Sequence, residues 1–207
     1  ILITGASGQL GQEFVKYFIK NNIYVLASDI GSPKNKLNCD FEVANAMDKE
    51  RLDNLVKKYK INTIYHLVAI LSAKGEENPF NSWKLNMESF QNIIEISITN
   101  KINKIFWPSS IAVFGTKSGL ENVNQDPVLN PSTIYGISKL SGEKLISYYN
   151  NKFDLDIRSL RYPGIISFES KPGGGTTDYV MEMIESLKKG EHYTCFLNKN
   201  SRLPMLY

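Results

Sequence analysis

Tyr135 and Lys139 stand four positions apart in the run Tyr135-Gly136-Ile137-Ser138-Lys139, early in a segment with helical apolar spacing. On a helix, positions i and i+4 share a face. A free phenol titrates near about 10 and is a poor base at neutral pH, whereas an adjacent ammonium favours the phenolate. Such a pair can take the proton of a substrate hydroxyl while hydride leaves the same carbon. The same spacing also arises by chance on ordinary core helices, so its weight comes from its surroundings. The run Ser109-Ser110-Ile111-Ala112-Val113-Phe114-Gly115 follows an apolar strand ending at Pro108, and Ser110 lies 25 positions before Tyr135. Ser110 reads either as part of one constellation with Tyr135 or as a helix or turn cap.

A second signal opens the chain. In Thr4-Gly5-Ala6-Ser7-Gly8-Gln9-Leu10-Gly11, glycines fall at 5, 8 and 11 between a strand-like and a helix-like segment. The first allows a tight turn, the second lets backbone approach a pyrophosphate, and the third permits close helix–strand packing. The helix that follows offers its unpaired N–H groups and positive dipole end to phosphates. Ser7, Gln9 and Leu10 belong to the same cradle. Asp29 ends the next strand, 18 positions after Gly11, where a carboxylate can accept bonds from ribose hydroxyls and repel a 2′-phosphate. The next residues are Ile30 and Gly31, with no arginine, which favours NAD over NADP. Asp40, ending a short third strand, is a further candidate for the cofactor side. Lys139 is placed to bind the nicotinamide ribose as well.

The elements needed to position these groups are legible in the apolar pattern. Strands are expected at 1–4, 24–28, 37–40, 63–68, 104–108 and 156–161, and helices at 12–20, 48–59, 81–99, 132–149 and 178–189. Strands that alternate with helices and read as continuous apolar runs indicate an α/β fold, a Rossmann-type doubly wound parallel sheet. Residues 1–167 are expected to form the dinucleotide-binding domain. The looser stretch 168–207, with a Ser/Gly/Thr/Pro-rich loop at 170–177, is expected to form part of a small substrate-binding lobe. Ile1 falls inside a strand, and the chain stops on the apolar run Leu203-Pro204-Met205-Leu206-Tyr207, so a longer protein is expected, with the lobe incomplete here. A net charge of +3 without massed basic residues argues against a nucleic-acid partner. No apolar run approaches the ~20 residues needed to cross a bilayer. Two cysteines make no disulfide framework and suit a reducing compartment, cytoplasmic or, in a eukaryote, the mitochondrial matrix. No metal site is assigned.

The glycine spacing, the Ser110–Tyr135–Lys139 constellation and several further runs resemble the extended short-chain dehydrogenase/reductases. His66-Leu67-Val68-Ala69 is similar to the family's strand end beside the cofactor, which implies roles for Leu67 and Ala69. Lys84-Leu85-Asn86 resembles an element whose Asn holds the active-site backbone, which places Asn86 with the cofactor site. Arg161-Tyr162-Pro163-Gly164 resembles the turn next to the nicotinamide, which implicates Tyr162. By the same resemblance Ser110 hydrogen-bonds the substrate oxygen. His66 itself reads as a packed strand-end residue, and Glu76 and Glu77 as solvated charges.

More specific runs resemble the short-chain-type L-threonine 3-dehydrogenases within that family: Ala69–Glu76, Trp107–Gly115, Arg158–Ser167, Gly174–Tyr179 and Leu203–Met205. That resemblance implies oxidation of L-threonine at C3 to 2-amino-3-oxobutyrate with NAD. It makes Ser72, Thr176 and Thr177 substrate-pocket candidates beside Ser110 and Tyr135, with ordinary loop hydrogen bonding as the alternative. It also implies a homodimer through the helices around 81–99 and 132–149. The nearest rival is a nucleotide-sugar epimerase or dehydratase on the same scaffold. Related sugar-nucleotide epimerases place Tyr where this chain has Phe114 in Val113-Phe114-Gly115. A non-catalytic NAD-sensing protein is the rival from another class; such proteins commonly lose the Tyr or Lys kept here.

Overall fold

A computed structural model of the chain describes residues 1–33, 37–119, 121–167, 173–175 and 177–207. In chain order the elements are β1 (Leu2–Thr4), α1 (Gln9–Lys20), β2 (Leu26–Asp29), β3 (Asp40–Val43), α2 (Lys49–Lys58), β4 (Thr63–His66), α3 (Ser72–Glu77), α4 (Pro79–Thr99), β5 (Lys104–Phe106), β6 (Ser109–Ser110), α5 (Ile134–Phe153), β7 (Asp156–Arg158), β8 (Arg161–Tyr162), β9 (Gly164–Ile165), α6 (Tyr179–Lys189) and β10 (Met205–Leu206). Six strands make one parallel sheet in the order β3-β2-β1-β4-β5-β7. The fold is therefore a Rossmann-type α/β sheet.

The sheet is buried on both faces, which is why its strands read as unbroken apolar runs. Successive side chains point to opposite faces. Leu2, Leu26 and Ile64 join one core with Leu52, Phe90, Ile105 and Trp107. Ile3 and Ala27 join a second core with Val15, Phe18 and Val25. Phe14 and Phe18 of α1 pack against Tyr65 of β4, and Phe14 also against Phe106 of β5, so α1 lies across these strands on one face of the sheet.

Several elements differ from the pattern in the sequence. The third strand begins at Asp40 and pairs Leu26↔Asp40 through Asp29↔Val43. It is an edge strand whose short polar–apolar alternation gives a weaker signal than the apolar Leu37 before it. Lys104–Pro108 and Asp156–Arg161 each break in two. Trp107 N–H still reaches Arg158 O at 3.0 Å, but Pro108 has no N–H to continue the ladder. The chains then pair again as β6 and β8, Ser109↔Arg161 and Ser110↔Tyr162. A further parallel pair, Met205↔Gly164 and Leu206↔Ile165, brings the last described residues back beside the sheet end. The short helix α3 was not legible, because six residues carry too little periodicity. No helix among the described residues is long and apolar enough to cross a membrane.

The glycine turn imposes a strict packing requirement beside the cleft. A Cβ on Gly11 would lie 2.2 Å from the Gly5 carbonyl oxygen and 2.7 Å from Ala6 Cα. Gly11→Ala must push α1 away from the turn, and we expect a stability loss of about 1–3 kcal/mol in denaturant unfolding, typical of overpacking. A change within ~0.5 kcal/mol would contradict the packing described here.

Candidate active site

A cleft of about 950 Å³ opens beyond the C-terminal ends of β1, β2 and β4. This is the switch point of the sheet, where β1 is flanked by β2 on one side and β4 on the other. Its first wall is the glycine turn. Gly5 has φ +74, and a Cβ there would sit 3.0 Å from the Leu67 carbonyl carbon and Val68 nitrogen. Gly8 is the N-cap of α1 without a side-chain cap, and no acidic residue occupies the first turn. The N–H end of the helix is thus presented bare to the cleft, which Gly8, Gln9, Leu10 and Gly11 all line. Ser7 Oγ is buried there without a hydrogen-bond partner. Asp29 lies at the end of β2, where Oδ2 accepts the Ser7 N–H at 2.9 Å and Oδ1 the Ile30 N–H at 2.7 Å. Each oxygen keeps a further lone pair for a ligand hydroxyl.

The opposite wall carries the chemistry-bearing side chains. Ser110, Tyr135 and Lys139 all line the cleft, with Tyr162 brought alongside Ser110 by the β6–β8 pair. Ser110 Oγ accepts the Ala112 N–H at 3.1 Å, so it caps a turn and leaves its own proton to donate into the cleft. Burial pushes the Tyr135 phenol up to about 12, against a downward pull from the Ser110 hydroxyl. Lys139 is only 2% exposed. Its Nζ donates to the Pro108 carbonyl at 2.6 Å, lies 4.1 Å from the Trp107 ring centroid and 5.5 Å from that of Tyr135. Burial lowers this ammonium from 10.5 to about 7. Desolvation therefore drives both groups of the pair toward their neutral forms.

Around this centre, polar side chains hold backbone in place. Asn86 clasps Ile70: its Oδ1 accepts the Ile70 N–H at 2.8 Å and its Nδ2 donates to the Ile70 carbonyl at 3.0 Å. Asn86 is buried on α4 and does not line the cleft, so its contact is with the segment after β4. His66 is fully buried between Thr4 Oγ1 at 2.7 Å and Ser89 Oγ at 3.0 Å, and burial lowers it to about 3, which keeps it neutral. Glu143 was missed in the sequence, although it lies four positions after Lys139 on the same helix face. It accepts Ser109 Oγ at 2.6 Å and a two-point bond from Arg161 at 2.8 Å. Burial raises its carboxyl, but these bonds outweigh it and leave Glu143 below the usual range.

Leu67 and Ala69 line the cleft behind β4, and Ser72 and Thr177 line its far side. Thr176 lies outside the described residues. Asp178, not singled out in the sequence, also lines the cleft, and its Oδ2 accepts the N–H groups of Gly174 at 2.8 Å and Gly175 at 2.7 Å. Asp40 is a correction. It opens β3 instead of ending a strand, and its carboxylate accepts the Tyr24 hydroxyl at 2.6 Å on the exposed side, outside the cleft. Glu76 is exposed, as expected of a solvated charge, and it also accepts the Ile134 N–H at 2.8 Å at the start of α5.

The model of the NAD dependent epimerase/dehydratase family matches residues 1–207. The chain belongs to that family. It is 40% identical to an epimerase/dehydratase of Staphylococcus haemolyticus (strain JCSC1435), over all of this chain and 66% of that protein. The chain thus spans about two thirds of the length of its curated relatives. Among solved structures, an L-threonine dehydrogenase from Cupriavidus necator in its holo form superposes with TM-score 0.94 at 40% identity, over 100% of this chain and 68% of that one. A monomeric L-threonine 3-dehydrogenase of metagenomic origin gives 0.93 at 42%, over 99% and 67%. A UDP-glucose 4-epimerase from Thermotoga maritima reaches 0.90 at 22% identity, over 100% and 68%, a likeness of fold alone.

NAD is the cofactor of the family, and the residues here fit it. The unpartnered Ser7 hydroxyl, the bare helix end and a turn in which side chains would collide match a pyrophosphate. Asp29 matches a ribose diol.

The buried lysine has a measurable consequence. The unfolded chain keeps the Lys139 proton up to about 10.4, whereas the folded one releases it near 7. Between those values the unfolded state binds more protons, so the stability cost of burying Lys139 is complete below about pH 7 and fades as pH rises. We expect Lys139→Met to melt above the parent at pH 6 and the gap to shrink steadily toward pH 10. A gap that is constant or widens with pH contradicts this.

Proposed function

We propose that the full-length protein is an NAD-dependent L-threonine 3-dehydrogenase, which oxidises the C3 hydroxyl to give 2-amino-3-oxobutyrate. The observation that carries this reading is the charge make-up of the cleft. Among its described lining residues the charged groups are Asp29 in the cofactor half, Lys139 at the reaction centre and Asp178 beyond it. A diphosphate-sugar needs cations for its phosphates, whereas an amino acid needs an acceptor for its ammonium and donors for its carboxylate. Asp178 supplies the first. The hydroxyls of Ser72 and Thr177 supply donors. The identities of 40–42% to L-threonine dehydrogenases support the same substrate. In this reading, residues 1–167 are the dinucleotide-binding domain and 168–207 part of the substrate lobe.

Ser110 donates its proton to the C3 oxygen and fixes it against Tyr135. Tyr135, as phenolate, takes the hydroxyl proton while the electron pair of the C3–H bond leaves for the cofactor and the C=O bond forms. When bound, NAD supplies the hydride acceptor and a positive nicotinamide ring, a charge that favours the phenolate. Lys139 presents its ammonium beside Tyr135 and to the ribose. The proton gained by Tyr135 is returned to solvent, so each turnover releases one proton with NADH. Glu143 and Asn86 hold the two backbone segments that frame the centre, which keeps the reacting groups in line.

We also read the full-length protein as a homodimer through α4 and α5. Both helices expose large apolar side chains, with Trp83 38%, Tyr148 52% and Phe153 42% exposed. Sedimentation should give twice the chain mass at micromolar concentration, and a monomer would refute the interface.

The deciding assay is NAD reduction by the full-length protein with threonine, serine, 3-hydroxy acids and nucleotide-sugars. Threonine should be the best substrate, and serine poorer by about 10–200-fold for its missing methyl. Tyr135→Phe should abolish turnover with NAD binding retained, and Thr177→Ala should raise KM for threonine alone. Turnover of a nucleotide-sugar without turnover of threonine would overturn the substrate.

A further inference from the structure

The chemistry above leaves Trp107 without a task, yet it is among the largest fully buried side chains in the molecule, 1% exposed. It follows β5, and its backbone N–H is tied to Arg158 O at 3.0 Å. Lys139 Nζ stands 4.1 Å from its ring centroid and donates to the carbonyl of the next residue, Pro108, at 2.6 Å. One dipeptide thus supplies both a π-face and an acceptor to the same ammonium. The indole is itself wedged. Phe90 stacks on it at 4.6 Å and 20°, and His66 continues the stack behind Phe90 at 6.4 Å and 9°. From α5, Gly142 leaves it room, since a Cβ there would come within 2.3 Å of the indole. The result is a layered slab running His66, Phe90, Trp107, Lys139, from the sheet centre to the cleft wall.

We propose that Trp107 is the positioning residue of Lys139, its indole face holding the ammonium against the Pro108 carbonyl so that Nζ stays aimed along the cleft wall beside Tyr135. The inference rests on the reading of Lys139 as a working group of the site. A cation over an indole face is held by the ring quadrupole, more strongly once water is removed. An aliphatic side chain of similar bulk would fill the space and hold nothing. The titratable groups facing Lys139 do not replace this support. Tyr135, on the same helix, and His66, from β4, are both kept neutral by burial. Glu143, one turn further along, is engaged with Arg161 and Ser109.

The test is the tryptophan fluorescence of the full-length protein titrated across neutral pH. A component of the emission should titrate with a midpoint near about 7, as the ammonium over the ring loses its proton, and should vanish in both Trp107→Phe and Lys139→Met. No titrating component in the parent, or one that survives in either variant, would overturn the proposal. A kinetic arm separates positioning from mere packing. Trp107→Leu should lower kcat for NAD reduction by about tenfold or more with KM for threonine within about twofold, and Trp107→Phe should recover a large part of the loss. Equal losses in both variants, in step with their melting temperatures, would show packing only. If the parent does not turn over threonine, the substrate reading fails, while the fluorescence titration still decides the role of Trp107.

Discussion

Burying an ammonium without a carboxylate partner is costly, and much of the cleft wall answers to that constraint. Lys139 lies between an indole face and a single carbonyl oxygen, and it keeps its charge only marginally at neutral pH. The slab behind it, Trp107 on Phe90 on His66, is closed off from water and stacked ring on ring. The same dryness raises Tyr135. In the proposed reaction, a positive charge brought into the cleft favours the Tyr135 phenolate, and that phenolate in turn favours the ammonium form of Lys139 beside it.

The two halves of the cleft use different materials for different tasks. On the phosphate side the protein offers backbone: a helix end left uncapped, glycines where any Cβ would collide, and one carboxylate fixed by two N–H bonds. On the reaction side it offers side chains, and each is braced by another. Ser110 rests on the Ala112 N–H, Ser109 on Glu143, Glu143 on Arg161, and the segment after β4 on Asn86. Backbone suits an invariant, delocalised anion such as pyrophosphate. Side chains suit a reacting carbon whose neighbours must lie within fractions of an ångström of one geometry. The far wall belongs to neither half: Ser72 opens the short α3, Thr177 and Asp178 lie in the turn before α6, where Asp178 accepts the Gly174 and Gly175 N–H groups, and α6 buries no residue among those described.

The local devices could be read from residue order alone: the alternation of strands and helices, the glycine turn, the acidic end of β2, and the Tyr135–Lys139 spacing. Each of these is encoded within a few residues, by steric need or by helical periodicity, and so survives without knowledge of the rest. Features set by partners distant in the chain emerged with the folded arrangement. Asp40 faces Tyr24 and solvent because pairing of β3 with β2 puts it at the start of an edge strand. Glu76 caps a helix 58 residues away. Asn86 serves as a clasp on Ile70, Glu143 as a brace for two strands, and Trp107 as the seat of Lys139. Periodicity can say that such side chains lie on a buried face. It cannot say which group waits there, because that depends on the order in which the strands join the sheet.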